Sequence, residues 1–187
     1  QIDWSLGKGV WARVPWVAVM DSRETTSMQT GVYVVFLVTR DLSQIHLCLI
    51  QGTAELVDEH RQSGALPILR ARSDAYRALV PELAELGFRL DGDVDLTSEG
   101  RRARAYEAGC IAHMPLATDA LPDDQELDAV MEGLLSAYQT VLDRRKDAGK
   151  PAAETLAPYG LDEAMEGLFL EREEFERILE IWRDKKN

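Results

Sequence analysis

The chain has 187 residues, of which 45% are hydrophobic and 29% are charged, a composition that predicts one ordinary globular domain with room for a short appended element. The formal net charge of −12 argues against a broad basic surface for nucleic acid, and no apolar run approaches the roughly 20 residues of a membrane helix. Because the sequence shows neither a signal-peptide pattern nor an initiator methionine, we expect it to come from inside a longer cytoplasmic protein.

The acidic charge is unevenly distributed along the chain. Residues 1–115 contain 12 Lys and Arg against 15 Asp and Glu, whereas residues 116–187 contain 9 against 18. The first part of the chain is therefore close to neutral. Basic residues within it can still meet phosphate groups, which weakens the objection that the net charge raises against a nucleic-acid partner.

The first third of the chain favours strands. Runs rich in Val and aromatic residues predict strands at Val10–Met20 and Val32–Thr39, and weaker alternation predicts a third at Gln44–Gln51. A polar interval of ten residues separates the first two strands, and a turn of four residues separates the last two. These short connections favour an antiparallel meander.

After Gly52 the pattern changes to the spacing of helices. Helices are predicted at Ala54–Gln62 and at Pro67–Leu86, the second broken or kinked at Pro81. Residues 88–96 are expected to be extended, and Ala105–Met114 is predicted to return to the sheet as a strand.

The C-terminal part is predicted to be helical in two portions. One apolar stripe makes Asp123–Arg145 a convincing helix, and residues 147–160, with Gly149 and Pro151, are typical of a linker. Residues 161–187 are predicted to form an appended pair of amphipathic helices. The expected fold class is α+β: an antiparallel or mixed meander flanked by helices, within a first domain at residues 1–146.

The aromatic residues of the two early strands are candidates for a ligand pocket. Side chains alternate between the faces of a strand, so Tyr33 and Leu37 share one side of theirs. If Trp16 of the preceding strand faces the same way, the three line a slot that could hold a base turned out of a duplex. The alternative is that these residues are simply part of the core.

Basic residues near these strands are candidates for contacts with the DNA backbone. A lysine between two glycines, Lys8, and the nearby Arg13 can approach phosphates, and Arg101 and Arg102 begin the densest basic cluster before the C-terminal helices. The glycine–lysine run is not a phosphate-binding P-loop, because the GxxxxGK[ST] spacing is missing. A plain hairpin tip and a solvated surface are the alternatives for these two segments.

No catalytic or metal-binding motif is recognised. Alternate aspartates at residues 91, 93 and 95 suggest a calcium loop, but Leu96 stands where the loop needs glycine and Arg102 where it needs an acidic residue. The histidines are scattered, and neither HExxH nor GxSxG occurs. Cys48 and Cys110 lack the CxxC spacing and are interpreted as buried thiols. We therefore expect no enzyme activity, metal or cofactor in these residues.

Several stretches resemble the N-terminal DNA-binding domain of McrB-type modification-dependent restriction proteins. The resemblance rests on Leu6–Gly9, Val14–Ala18, Gly31–Leu37 and the helix at Glu126–Leu142, and residues 161–187 resemble the segment that leads into an AAA+ motor. It implies that the domain reads methylated DNA by rotating the modified cytosine into a pocket. The matching pocket positions are Trp16, Tyr33 and Leu37. Lys8 stands where the best-known member has an aromatic residue that distorts DNA.

The resemblance also implies partners. They are double-stranded modified DNA, probed first with 5-methylcytosine, an AAA+ GTPase domain that follows in the same protein and forms the oligomer, and a McrC-like nuclease subunit, together forming a restriction system for phage defence. The residues themselves leave a second class open, a protein-interaction or regulatory module of an AAA+ protein. An enzyme acting on a small molecule is a third class that lacks a candidate dyad.

Overall fold

A five-stranded antiparallel sheet forms the centre of the domain. The computed structural model describes residues 1–7 and 9–149, with side chains through residue 145. The sheet order follows the chain order, β1-β2-β3-β4-β5, and the bounds are β1 Ile2–Ser5, β2 Trp16–Val19, β3 Val32–Val38, β4 Gln44–Gln51 and β5 Cys110–Ala117. The predicted α+β class and the antiparallel meander are confirmed.

The first hairpin differs from the sequence prediction. The strand predicted at Val10–Met20 is wrong in its first half, since β2 begins only at Trp16 and an unpredicted edge strand, β1, precedes it. The two strands pair antiparallel, with Ile2 opposite Val19. Residues 6–7 and 9–15 belong to the loop between them, because glycines at 7 and 9 adopt positive φ angles and Pro15 has no N–H to donate to a ladder. The loop contains apolar residues of types that are common in strands, which is why the sequence predicted a strand there.

Within residues 1–7 and 9–149, three helices and one 3₁₀ helix surround the sheet. Helix α1 spans Ala54–Arg77, with a kink at Arg61, whose φ is 55°. This kink divides α1 into two helical portions close to the predicted boundary at Gln62, but the second portion begins before Pro67 and ends at Arg77 rather than at Leu86. Pro81 begins a separate 3₁₀ helix, Pro81–Ala84, because proline fits the first position of a helix better than its interior.

The segment predicted as a strand at Ala105–Met114 divides into two elements. Helix α2 covers Arg101–Gly109, and β5 begins at Cys110, so the prediction is wrong for the first five residues. The small residues of α2 face the interior, and most of the helix consists of alanine and arginine, which are strong helix formers. Of the residues expected to be extended at 88–96, only Arg89 forms a bridge to the sheet, opposite His113.

Helix α3 spans Asp124–Gly149, close to the predicted Asp123–Arg145, and it includes the first three residues of the predicted linker. The rest of that linker and the helical pair predicted at residues 161–187 lie outside the described residues. Among the described residues, no helix has the length and apolar character required to cross a membrane.

The core has a part on each face of the sheet. On one face, Leu134 and Val141 of α3, together with the 3₁₀ helix, pack against Val34 of β3 and Leu47 of β4. On the other face, α2 and the chain before it cover Tyr33, Val35, Leu37, Cys48 and Ile50. Alternation along the strands separates the two sets, so each strand contributes to both halves of the core.

Candidate nucleic-acid interface

The structure brings Trp16, Tyr33 and Leu37 together on one face of the sheet. Trp16 and Leu37 are directly opposite each other in the β2–β3 ladder, and Tyr33 lies four residues earlier on β3, so its side chain points the same way. All three contact the core cluster beneath α2. The strand register therefore produces the arrangement on which the predicted slot depends.

Two of these three side chains are enclosed by the protein. Tyr33 and Leu37 have no exposed surface, and the Tyr33 hydroxyl donates a hydrogen bond to the Met28 carbonyl oxygen at 3.0 Å. Burial, reinforced by the nearby Tyr106, raises the pKa of Tyr33, which keeps the hydroxyl a neutral donor. Trp16 alone is half-buried. Their role as a pocket for a base stays a prediction.

Helix α2 adds a further aromatic residue, Tyr106, to this group. Its side chain is half-buried and packs on the same cluster as Trp16. Burial raises its pKa, while the positive charge of the nearby Arg102 acts in the opposite direction. The sequence analysis missed Tyr106 as a site residue because it assigned a strand here. The Arg-Arg-Ala-Arg-Ala-Tyr pattern, basic residues one turn before an aromatic, was the available signal.

The loop between β1 and β2 presents apolar side chains to solvent. Gly7 has a φ of 120°, and a Cβ on it would lie 2.0 Å from the Val10 carbonyl oxygen, so only glycine fits this turn. The Ala12 N–H donates to the Leu6 carbonyl at 2.7 Å and closes the loop. Val10 and Trp11 are then 79% and 76% exposed. Lys8 lies outside the described residues.

Trp11 is therefore a candidate contact that the sequence analysis did not select. Exposed apolar side chains that lie together mark interaction surfaces, and Val10 and Trp11 are both exposed on a loop that a backbone hydrogen bond closes. The missed signal was the spacing. Trp11 and Trp16 are an odd number of residues apart, so one continuous strand would have placed them on opposite faces.

Arg13 lies beside the start of α2. Its Cδ is 3.9 Å from the point where a Cβ would stand on Gly100, the residue that immediately precedes Arg101. The fold thus gathers three of the predicted backbone-contact residues, Arg13, Arg101 and Arg102, at the N-terminus of one helix. None of the three is joined by a salt bridge among the described residues.

The same helix end has unused hydrogen-bonding groups. Gly100 occupies the N-cap position, and among the described residues no side chain caps the helix, so the N–H groups of its first turn have no bond of that kind. In the described part of the chain, the Ser98 hydroxyl oxygen is buried without a hydrogen-bond partner, 3.5 Å from the Cβ position of Gly100. The N–H groups of the first turn and the arginines together are suited to an anion.

A separate cleft of about 310 Å³ lies at the opposite end of β3 and β4. Its lining includes Gly31, Gln51, Arg72, Tyr76 and Arg145, and none of the predicted site residues belongs to it. The Gln51 amide is already bonded to the Leu69 carbonyl and the Ser73 hydroxyl. Across the described residues, no group of three or more His, Cys, Asp or Glu is placed to hold a metal ion.

The family model described as the MrcB-like N-terminal domain matches residues 1–143. The chain belongs to this family. No curated protein and no solved structure matches it. The matched range contains the whole sheet and most of α3, so the MrcB-like domain coincides with the fold described above. Family membership makes it a DNA-binding module of McrB-type restriction, consistent with no catalytic role of its own.

Proposed function

We propose that this MrcB-like domain recognises double-stranded DNA that carries a modified base, with 5-methylcytosine as the first candidate, and that it turns this base out of the duplex. In the full-length protein it would direct an AAA+ GTPase, the part that oligomerises, and a McrC-like nuclease subunit to the marked site. One observation carries the proposal: an exposed aromatic loop, a half-buried aromatic group and three arginines meet at one end of the sheet, on the side covered by α2.

The arginines and the uncapped end of α2 are suited to the DNA backbone. Phosphate oxygens accept hydrogen bonds from arginine side chains and from the N–H groups at a helix N-terminus, and the helix dipole favours the negative charge. Arg13 belongs to the β1–β2 loop while Arg101 and Arg102 belong to α2, so a phosphate bound between them would fix the loop against the helix. Contacts of this kind orient the duplex without reading its sequence.

Trp16 and Tyr106 are the parts of the aromatic cluster that an everted base could reach. Both are half-buried, whereas Tyr33 and Leu37 lie behind them without exposed surface. A base stacked on Trp16 would regain part of the stacking energy that it loses on leaving the duplex. Tyr33 and Leu37 would then form the floor of the site and determine how large a substituent fits.

Matched duplexes test base recognition. One duplex carries 5-methylcytosine, the other cytosine, and a fluorescent base analogue is placed beside the target to report unstacking. The wild-type chain is expected to brighten the modified duplex and to bind it more tightly, whereas Trp16→Ala should lose most of this preference but retain its non-specific affinity. Tyr33→Phe, which keeps the ring and loses only the hydroxyl, serves as the folded control.

Equal brightening by wild type and a folded Trp16→Ala variant would show that the cluster is core only, and equal affinity of the wild type for both duplexes would remove the modified base from the proposal. A folded state is verified by the cooperative thermal unfolding of each variant.

The second candidate, a protein-interaction module, is favoured by a different surface. Ile2 and Trp4 on β1 are 69% and 63% exposed, and Val17, opposite Trp4 on β2, is 39% exposed. These side chains lie on the α3 side of the sheet, away from the arginines. A Trp4→Ala variant that binds DNA normally but fails to assemble with the nuclease subunit would support this role.

A further inference from the structure

Two histidines on neighbouring strands are buried against each other, in a cluster that the proposed DNA interface does not use. His46 of β4 is 3% exposed and His113 of β5 is fully buried. Their Nδ1 atoms are 3.4 Å apart, and the ring centroids are separated by 5.5 Å. His46 is also the cross-strand neighbour of Leu37, so the pair lies beside the aromatic cluster on the same face of the sheet.

The Nε2 atoms of both rings form hydrogen bonds to oxygen atoms that can only accept a hydrogen bond. His46 Nε2 is 3.1 Å from the Asp95 carbonyl oxygen, and His113 Nε2 is 2.9 Å from a carboxylate oxygen of Asp91. A carbonyl has no proton to donate, and an ionised carboxylate has none either. Each Nε2 must therefore carry a hydrogen for its bond to exist.

Counting protons along this chain of bonds gives an excess of one. The contact between the two Nδ1 atoms is a hydrogen bond only when one of them carries a hydrogen and the other presents a lone pair. Together with the hydrogens on the two Nε2 atoms, the four ring nitrogens of His46 and His113 then hold three protons. Two neutral imidazoles hold two, so the fully bonded pair carries one positive charge.

The surroundings place this charge on His113. Burial and the neighbouring His113 lower the pKa of His46, which favours the neutral form for His46. Burial acts against ionisation of Asp91, but hydrogen bonds from His113 and from the Asp93 N–H outweigh it and lower the pKa of that carboxyl group. An ionised Asp91 next to His113 stabilises a positive ring there.

Other charged and titratable groups near the pair come from each element packed on it. Arg89 precedes the acidic segment and acts against a second positive charge on His46. Cys48 is two residues beyond His46 on the same face of β4. Burial raises the pKa of Glu107 on α2, and the charge of the nearby Asp95 raises it further. Asp91 is the carboxylate that contacts a histidine ring directly.

We propose that His46 and His113 share one excess proton in the folded domain, and that this proton fastens the acidic segment at residues 90–96 to β4 and β5. Without it, two nitrogen lone pairs face each other in a buried site, and one hydrogen bond of the chain is broken. The segment leads directly to Gly100 and α2. The device is thus a pH-sensitive link between the sheet and the helix that carries Arg101 and Arg102.

The direction of the pH dependence follows from the proton count. Above about pH 6.5 the histidines of an unfolded chain are neutral, whereas the folded pair keeps one extra proton. The folded state then binds more protons than the unfolded state, so raising the pH favours unfolding. One proton corresponds to about a tenfold decrease in the folding equilibrium constant per pH unit, until the folded pair itself releases the proton.

Nitrogen NMR of the histidine rings in the full chain tests the proton count directly. At pH 7.5, His113 is expected to show two protonated ring nitrogens and His46 to show a protonated Nε2 with a bare Nδ1. His60 is exposed and lies outside the pair, and His60→Gln identifies its signals. Neutral rings at both His46 and His113 at pH 7.5 would overturn the proposal.

Urea unfolding between pH 6.5 and 8.5 gives an independent measurement. Wild type and His60→Gln should show the same decrease in the folding equilibrium constant with pH, approaching tenfold per unit. Asp91→Asn, which preserves an oxygen acceptor but removes the charge, should show a smaller decrease. An Asp91→Asn variant with the wild-type slope would contradict the shared proton, and if that variant does not fold, the ring protonation of the wild type decides. Neither measurement uses DNA, so its outcome is separate from that of the proposed function.

Discussion

Replacing Trp11 by alanine tests the proposed interface where the structure makes the clearest distinction. The side chain is 76% exposed, and the loop that carries it is closed by a backbone hydrogen bond that the substitution retains. Removal of an exposed side chain of this kind changes stability by no more than about 0.5 kcal/mol. An effect on DNA binding would therefore reflect the removal of an indole that touches DNA rather than an unfolded domain.

The expected magnitude comes from the stacking of an aromatic ring on a base. Such stacking contributes roughly 1–3 kcal/mol to binding, so its loss corresponds to about a 5- to 150-fold increase in the dissociation constant. The exposed fraction of Trp11 leaves most of the indole free to stack. We therefore expect Trp11→Ala to lower the affinity for DNA at least tenfold, which is a loss of roughly 1.4 kcal/mol or more of binding free energy. Fluorescence anisotropy with a labelled duplex at fixed salt measures it.

Trp4→Ala is the matched control, because it removes the same side chain from a position with similar exposure, 63%, on the α3 side of the sheet. It should leave the dissociation constant for DNA within about twofold. Two results would contradict the proposed role of Trp11. One is a Trp11→Ala variant that keeps the affinity of the wild type for DNA. The other is a loss of affinity that is equally large in the Trp4→Ala and Trp11→Ala variants.

The remaining predictions concern charge, packing and domain limits. Glutamine at Arg13, Arg101 and Arg102 should weaken modified and unmodified DNA alike and reduce the salt slope by up to about 0.9 for each phosphate that is no longer neutralised; an unchanged slope in titrations would exclude them. Tyr138→Phe should lower the free energy of unfolding by about 2 kcal/mol in urea, since the hydroxyl bonds the Val32 carbonyl and the Asp21 N–H at about 1 kcal/mol each, and an unchanged midpoint would contradict this. A chain that ends after Gly149 should unfold cooperatively in calorimetry, and a missing transition would show that the later residues belong to the core.

Local patterns in the sequence determined much of the sheet and one helix. The valine-rich run of β3 and the apolar stripe of α3 were predicted nearly to their ends, because strong periodicity over many residues leaves one consistent face to bury. The same alternation placed Tyr33 and Leu37 on one side. Free, buried thiols at Cys48 and Cys110 were also expected, since their spacing matches no metal or redox motif.

Elements whose conformation depends on distant contacts were predicted less well. Residues 101–109 are rich in the helix formers Ala and Arg, but their apolar positions have no decisive period. Ala103 packs on the sheet and Ala108 packs against α1, contacts that a local pattern does not reveal. The edge strand β1 is short and largely exposed, so its sequence lacks the burial pattern of a strand. It is a strand because β2 offers it an unpaired edge.

For the site, the sequence by itself determined which residues share a face and which segments carry positive charge. Only the tertiary structure placed Arg13 beside Gly100, joined Tyr106 to the aromatic cluster and set His46 against His113, residues that are 67 positions apart in the chain. Strand alternation acts between neighbours, so the sequence records it directly. The other contacts join elements far apart in the chain, and their distances follow from how helices pack on the sheet, which no local pattern encodes.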